Sequence, residues 1–235
     1  MPIRAVFFDL GNTLVASECF SDIEKDVEYP FWVKRGYDGS FEDFKKFKSQ
    51  SKEGVFQKAF RDEKDKYMWT EIMAEFALGK KPDDKTISEC YELVKGYYVK
   101  NSKLREGTID TLKYLKSNGI KIVLISNNWE DIANEAMDSL KIREYFDDII
   151  ISDVVKAVKS EIVPFKIALE RTGISPEDCL MVGDDLEDSF CKKLNMKFAL
   201  LDARNNKLDV EHDYIIKSIR DIRRIIEAGE KCKSI

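Results

Sequence analysis

The chain has 235 residues, with Lys+Arg 39 against Asp+Glu 44, a net charge of −5 and 43% hydrophobic residues. That is enough apolar material for a sizeable core, in one large domain or in a core domain carrying an insertion. Its charges are interleaved rather than gathered in blocks, which excludes the composition of a nucleic-acid or anionic-membrane binder. No apolar run approaches the ~18 residues of a membrane span, and the N-terminus lacks the apolar stretch of a secretory signal, so a cytoplasmic setting is expected. Five cysteines (Cys19, Cys90, Cys179, Cys191 and Cys232) share no C-x-x-C spacing. They are expected to be reduced packing thiols rather than zinc ligands or disulfides. The 35% charged content, the single His212 and only two glutamines, Gln50 and Gln57, lean towards a heat-adapted source rich in surface ion pairs.

Ile3 to Phe8 reads as a short buried strand that runs into Asp9, followed by Gly11, Asn12 and Thr13. A strand ending in a carboxylate delivers a nucleophile or metal ligand to the C-terminal edge of a sheet, where open α/β folds bind ligands. Gly11 is expected to let backbone come close to whatever Asp9 holds. From 16 to 104 helical spacing replaces strand patterning. Ser40 with Asp43 marks a helix start, Phe41, Phe44 and Phe47 share a face, and Val55, Phe56, Ala59 and Phe60 continue the pattern. Trp69, Ile72, Met73 and Phe76 carry it to Gly79, and Pro82-Asp83-Asp84 opens a further helix. This segment holds 16 of the 26 aromatics, so it is expected to be a helical subdomain with its own aromatic core.

After Arg105 helices and strands alternate. Helices are expected at 107–118, 129–140, 161–172, 186–194 and from Ser218 to about Ala228; strands are expected at 120–125, 148–151, 179–182, 197–201 and 214–216. Strands apolar on both faces and alternating with helices mean a doubly wound, Rossmann-like parallel sheet covered on both sides. Residues 1–15 and 105–235 would form that core domain and 16–104 the inserted helical domain, with Gly229 to Ile235 frayed.

Three more strand ends carry chemistry. Ile125 leads into Ser126-Asn127-Asn128, Val182 leads into Gly183-Asp184-Asp185-Leu186-Glu187-Asp188, and Lys156 and Lys159 follow the strand that ends near Ser152. Each alone has a plain structural explanation as a turn, a helix cap or a solvated charge. Together, carboxylates at two strand ends make a hard oxygen site suited to Mg²⁺, and a hydroxyl and a lysine beside it would hold phosphate oxygens. The competing phosphate motifs G-x-x-x-x-G-K-[ST] and G-x-G-x-x-G are absent.

F-F-D-L-G-N-T-L, I-S-N, a lysine before a helix and G-D-D-L-E-D, in that order, resemble the four motifs of the haloacid dehalogenase-like (HAD) superfamily of hydrolases. The resemblance covers 1–15 and 105–228, and the insertion is similar to the family's helical, C1-type cap. It implies a Mg²⁺-dependent phosphohydrolase acting on a small phosphorylated metabolite. Carried over, Asp9 would be the nucleophile that becomes an aspartyl-phosphate. Ser126 with the backbone of Asn127 would bind the phosphoryl group, and Lys159, preferred to Lys156 for its family spacing to Phe165 and Ala168-Leu169, would be the motif-three lysine. Mg²⁺ would be held by Asp9, the Gly11 carbonyl and Asp184, with Asp188 or Asp185 as the supporting acid.

One departure stands out. Family phosphatases usually place a second Asp two residues after the nucleophile, to protonate the leaving group and then activate water; here that residue is Gly11. Glu18 and Asp22 are candidates for the role by nearness in sequence. The alternatives carried forward are a metal-independent 2-haloacid dehalogenase and a non-catalytic descendant that binds phosphate or a protein partner. Trp32, Tyr37, Phe20 and Trp129 could touch substrate or simply pack. The sequence assigns no role to His212 and no oligomeric state.

Overall fold

β1 (Ala5–Phe8) is buried at all four positions, as a run without polar alternation requires when both faces of a sheet are covered. It belongs to a computed structural model that describes residues 2–16, 22–55, 60–61, 65–202 and 208–231. The chain divides into two compact units, Met1–Ser17 with Lys103–Ile235, and Glu18–Ser102.

The helical unit begins with a five-residue π-helical turn, Glu24–Glu28, that runs directly into α1 (Tyr29–Val33). Next come α2 (Phe41–Val55), α3 (Asp65–Leu78) and α4 (Asp84–Asn101). Ser40 Oγ accepts the Asp43 N–H at 3.1 Å and Asp83 accepts the Thr86 N–H at 2.7 Å, so both expected helix starts are made by side-chain caps. Trp32, Tyr37, Phe44, Met73, Ile87 and Cys90 form its buried core. Phe47 and Phe76 stack at 3.9 Å between ring centroids, and Tyr29 meets Tyr37, Phe41 and Phe44 edge-on. Phe56 and Ala59, expected to continue the α2 pattern, lie outside the described residues.

In the sheet unit α5 (Thr108–Ser117), β2 (Lys121–Ser126), α6 (Glu130–Ser139), β3 (Asp148–Ile151) and a single turn α7 (Ser152–Val155) follow in turn. Then come α8 (Val163–Thr172), β4 (Cys179–Gly183), α9 (Leu186–Ser189), β5 (Lys197–Leu201), β6 (Tyr214–Ile216) and α10 (Asp221–Lys231). The six strands are all parallel in the order β3-β2-β1-β4-β5-β6. Two details depart from expectation. The 186–194 helix is α-helical only to Ser189 and finishes as a 3-10 turn, Phe190–Leu194. The last helix continues to Lys231 instead of fraying from Gly229. Cys179 and Cys191 are buried free thiols in the sheet core and Cys90 is one in the helical core; Cys19 and Cys232 lie outside the described residues.

The chain leaves the sheet unit and returns to it through two paired segments. Val15 bridges Leu104, the Ala16 N–H donates to the Lys103 carbonyl at 2.9 Å, and the Arg105 N–H donates to the Leu14 carbonyl at 2.8 Å. No described helix is long and apolar enough to cross a membrane.

Candidate active site

Because strand order runs outward in both directions from the β1–β4 pair, the crevice at the C-terminal ends of these strands is the topological switch point of the sheet. Asp9 sits there: the pairing of Phe8 with Val182 is extended by the Asp9 N–H, which donates to the Val182 carbonyl at 3.0 Å. On its other side Phe8 pairs with Leu124, so Ser126 ends β2 at the same edge, and it is buried.

Lys159 reaches this edge from a 3-10 turn, Lys159–Glu161. Its Nζ donates to Asp9 Oδ1 at 2.5 Å and to Asp188 Oδ1 at 2.6 Å, and the three residues are only 4%, 7% and 1% exposed. Lys156 points elsewhere, to Asp153 at 2.9 Å, and is exposed. The two candidate acids separate as clearly. Asp185 is exposed and caps α9, accepting the Leu186 N–H at 2.5 Å. Asp188 turns inward, and its second oxygen accepts the N–H groups of Asp184 at 3.1 Å and Asp185 at 3.2 Å. That oxygen explains Gly183: a Cβ there would lie 2.1 Å from it. Gly11 is different, since a Cβ built on it meets nothing within 4 Å, so the surrounding protein does not require glycine at that position.

Oxygens of Asp9, Asp184 and Asp188 lie within 4.8 Å of one another. Three carboxylates facing one ammonium leave excess negative charge in a buried place. Burial, with Asp188 and Asp184 adding to it against Lys159, pushes Asp9 up to about 7. Burial followed by Asp188 and Asp185 pushes Asp184 up to about 6. For Lys159 burial works downward, but Asp188 and Asp9 outweigh it and raise its pKa. An all-oxygen donor set carrying surplus negative charge fits a hard divalent cation.

Several residues that serve this edge were not singled out from sequence. Thr13, fully buried, donates through Oγ1 to Asp184 Oδ1 at 3.3 Å. Arg105 holds the carbonyls of Asn12 (2.6 Å) and Thr13 (3.1 Å), fixing a loop in which Asn12 takes a left-handed conformation at φ 58. Asn127, singled out for its backbone, bonds through its side chain to Ser152, Lys159 and Glu187. Ser152 begins just where β3 ends, so the strand-end rule that found Asp9 and Ser126 was the signal available for it. Trp32 and Tyr37 are helical-unit core, Trp129 is half-buried at the start of α6, Asp22 is exposed, and His212 is exposed with Nδ1 2.7 Å from the Val210 carbonyl. Glu18 and Phe20 lie outside the described residues.

The family model described as haloacid dehalogenase-like hydrolase matches residues 3–189. The chain belongs to this family. It is 37% identical over 87 residues to phosphoglycolate phosphatase 1 of Pseudomonas aeruginosa, a match spanning 37% of this chain and 32% of that protein. It is 25% identical to the glyceraldehyde 3-phosphate phosphatase of Methanothermobacter thermautotrophicus over 97% of both chains. Among solved structures it superposes on a HAD-hydrolase of Bacillus subtilis bound to magnesium, with a TM-score of 0.75, 15% identity and coverage of 97% of this chain and 100% of that one. Membership of this family and phosphatases as relatives make the chain an enzyme of the hydrolase class.

Proposed function

We propose that this chain is a Mg²⁺-dependent phosphatase that releases phosphate from a small phosphorylated metabolite by way of an aspartyl-phosphate on Asp9. The observation that carries the reading is the buried contact of Lys159 with both Asp9 and Asp188, beside Asp184, at the switch point of the sheet. The phosphatase names of relatives that align with this chain over nearly all its length support the same reaction.

In this reading the Asp9 carboxylate attacks phosphorus as the bond to the leaving oxygen breaks, and the departing alkoxide takes its proton from solvent water. Water then attacks the acyl phosphate, returning Asp9 as carboxylate and releasing inorganic phosphate. Ser126 Oγ–H and the Asn127 N–H donate to the phosphoryl oxygens, and Lys159 balances charge on Asp9 and the incoming group. Asp9, Asp184, Asp188 and the Gly11 carbonyl would hold Mg²⁺, which when bound supplies neutralisation of phosphoryl charge. The helical unit would act as the cap that selects the substrate. Gly11 offers no proton to the leaving group, an assistance typically worth ~10²–10⁴ in rate. Turnover should therefore depend steeply on leaving-group pKa, and Gly11→Asp, whose Cβ would meet nothing within 4 Å, should flatten that dependence. The metal-independent dehalogenase alternative leaves Asp184 beside Asp188 without a task, and chloride release from a 2-chloro acid in chelator is the result that would favour it.

The test is phosphate release from a panel of small phosphate esters, with Mg²⁺, with chelator, and for Asp9→Asn. Release should require Mg²⁺ and fall by roughly 10⁴-fold or more in Asp9→Asn. Purified protein that hydrolyses no ester, or an Asp9→Asn variant that still turns over, sinks the reading.

A further inference from the structure

Ser152 is 1% exposed at the end of β3, and Glu187 is half-buried in α9; no step above uses either. Both converge on the Asn127 side chain. Its Oδ1 accepts the Ser152 hydroxyl at 2.7 Å and the Lys159 backbone N–H at 3.1 Å, while its Nδ2 donates to Glu187 Oε2. The orientation of the carboxamide is fixed by chemistry, because a backbone N–H can only donate and an ionised carboxylate can only accept.

Resting on the phosphatase reading, we infer that the Asn127 carboxamide, braced by Ser152 and Glu187, is a positioning group that sets where Lys159 stands during phosphoryl transfer. The lysine side chain is long and flexible, so the place of its ammonium between Asp9 and Asp188 depends on how firmly its backbone is held. Residue 159 opens a single 3-10 turn, which by itself is a weak anchor. Glu161 secures the neighbouring Val158 N–H at 2.9 Å, and Asn127 secures Lys159 itself. The carboxamide thus ties together the ends of β2 and β3, the lysine turn and α9. Only a group with an acceptor on one side and a donor on the other satisfies all three contacts. An Asp at 127 would face the Glu187 carboxylate with a second carboxylate, and this clash defines the test.

Steady-state kinetics with Mg²⁺ on the best ester of the panel should show that Asn127→Asp lowers kcat about 10–100-fold, the usual cost of losing such an outer support, with KM little changed. Adding Glu187→Gln restores a donor opposite the new carboxylate, so the double variant should recover most of the lost kcat, giving a strongly non-additive cycle. A purely structural role predicts that kcat falls only together with Tm, so a lowered kcat at near wild-type Tm is the outcome that separates positioning from structure. Unchanged kcat in Asn127→Asp, or a double variant no better than Asn127→Asp, overturns the inference. Should Asn127→Asp fail to melt cooperatively, Ser152→Ala removes one donor from the same oxygen and should lower kcat about 3–10-fold; no change there overturns it equally. Active wild-type enzyme with indifferent variants removes this inference alone. Wild-type protein that hydrolyses no ester of the panel removes the phosphatase reading, and this inference with it.

Discussion

The sheet unit gathers Asp9, Lys159 and Asp188, all buried, at a single edge, while the helical unit packs Trp32, Phe44 and Met73 around stacked and edge-on rings and buries the ion pair of Lys48 with Glu28. Lys48 also approaches Glu24 at 3.3 Å and lies 5.7 Å from the Trp69 ring centroid. Both units therefore hold a buried lysine, but in different company. Lys159 is outnumbered by carboxylates, and burial has pushed two of those nearby, Asp9 and Asp184, towards protonation. Lys48 also has two acids beside it, Glu28 and Glu24, with the Trp69 ring flanking it. Both lysines face more than one carboxylate; at the sheet edge Asp9 and Asp184 are held against their own preference, which marks a reactive site, whereas the covered Lys48 pair is consistent with a packing role.

Lys159→Met is the most drastic way to press the comparison. Turnover should fall about 10³-fold or more, as expected when a charge-stabilising cation is lost from phosphoryl transfer. In chelator at pH 8, urea melts should show a loss of about 3–5 kcal/mol, because two buried carboxylates lose their partner. Phe44→Ala should cost the helical unit about 3–5 kcal/mol in the same melts while leaving Mg²⁺ affinity unchanged by calorimetry. Altered Mg²⁺ affinity would break the separation of roles.

A smaller effect concerns pH. Asp9 is held up at about 7 and Asp184 at about 6, both from an ordinary 3.8. Between about pH 4 and 7 the unfolded chain releases protons that the native protein keeps, so metal-free protein should lose stability as pH rises through that window and level off above it. Mg²⁺ must displace the same protons, so the rise in Tm on adding it should be largest near pH 8 and fade towards pH 5. A Tm increment independent of pH would detach these acids from the cation. The smallest effect is expected from replacing the other pair: Lys48→Met with Glu28→Leu should leave stability within about 1 kcal/mol or improve it, since apolar substitutes for a buried pair commonly do.

The fold was legible because its signals are local. Apolar runs such as Val6-Phe7-Phe8 and Leu180-Met181-Val182, with a turn or cap between successive elements, admit few arrangements other than a covered parallel sheet. Asp9, Ser126 and the 184–188 acids were legible for the same reason, each lying where a strand ends. What could not be read depends on which way side chains turn after the chain has folded. Nothing in K-S-E or G-D-D-L-E-D says that Lys159 and Asp188 face inward while Asp185 caps a helix. Gly183 carried no visible reason until Asp188 was seen folded back over it. Asn127 was credited with its backbone alone, because its partners Ser152 and Glu187 lie 25 and 60 residues away. The π-helical turn at Glu24–Glu28 was also unreadable, since its residues carry no period that separates it from an ordinary helix.

The paired linkers Leu14–Ala16 and Lys103–Arg105 have a consequence for how such a protein can change. Because the outgoing and returning chain already lie side by side and bond to each other, everything between them is a cassette whose ends the sheet unit holds together. A different helical segment, or a short turn, can be spliced between these two points without moving the register of β1 against β2 and β4. If the helical unit selects the substrate as proposed, evolution, or an engineer, could exchange what the protein recognises by replacing one continuous stretch of gene, leaving the sheet edge where it is.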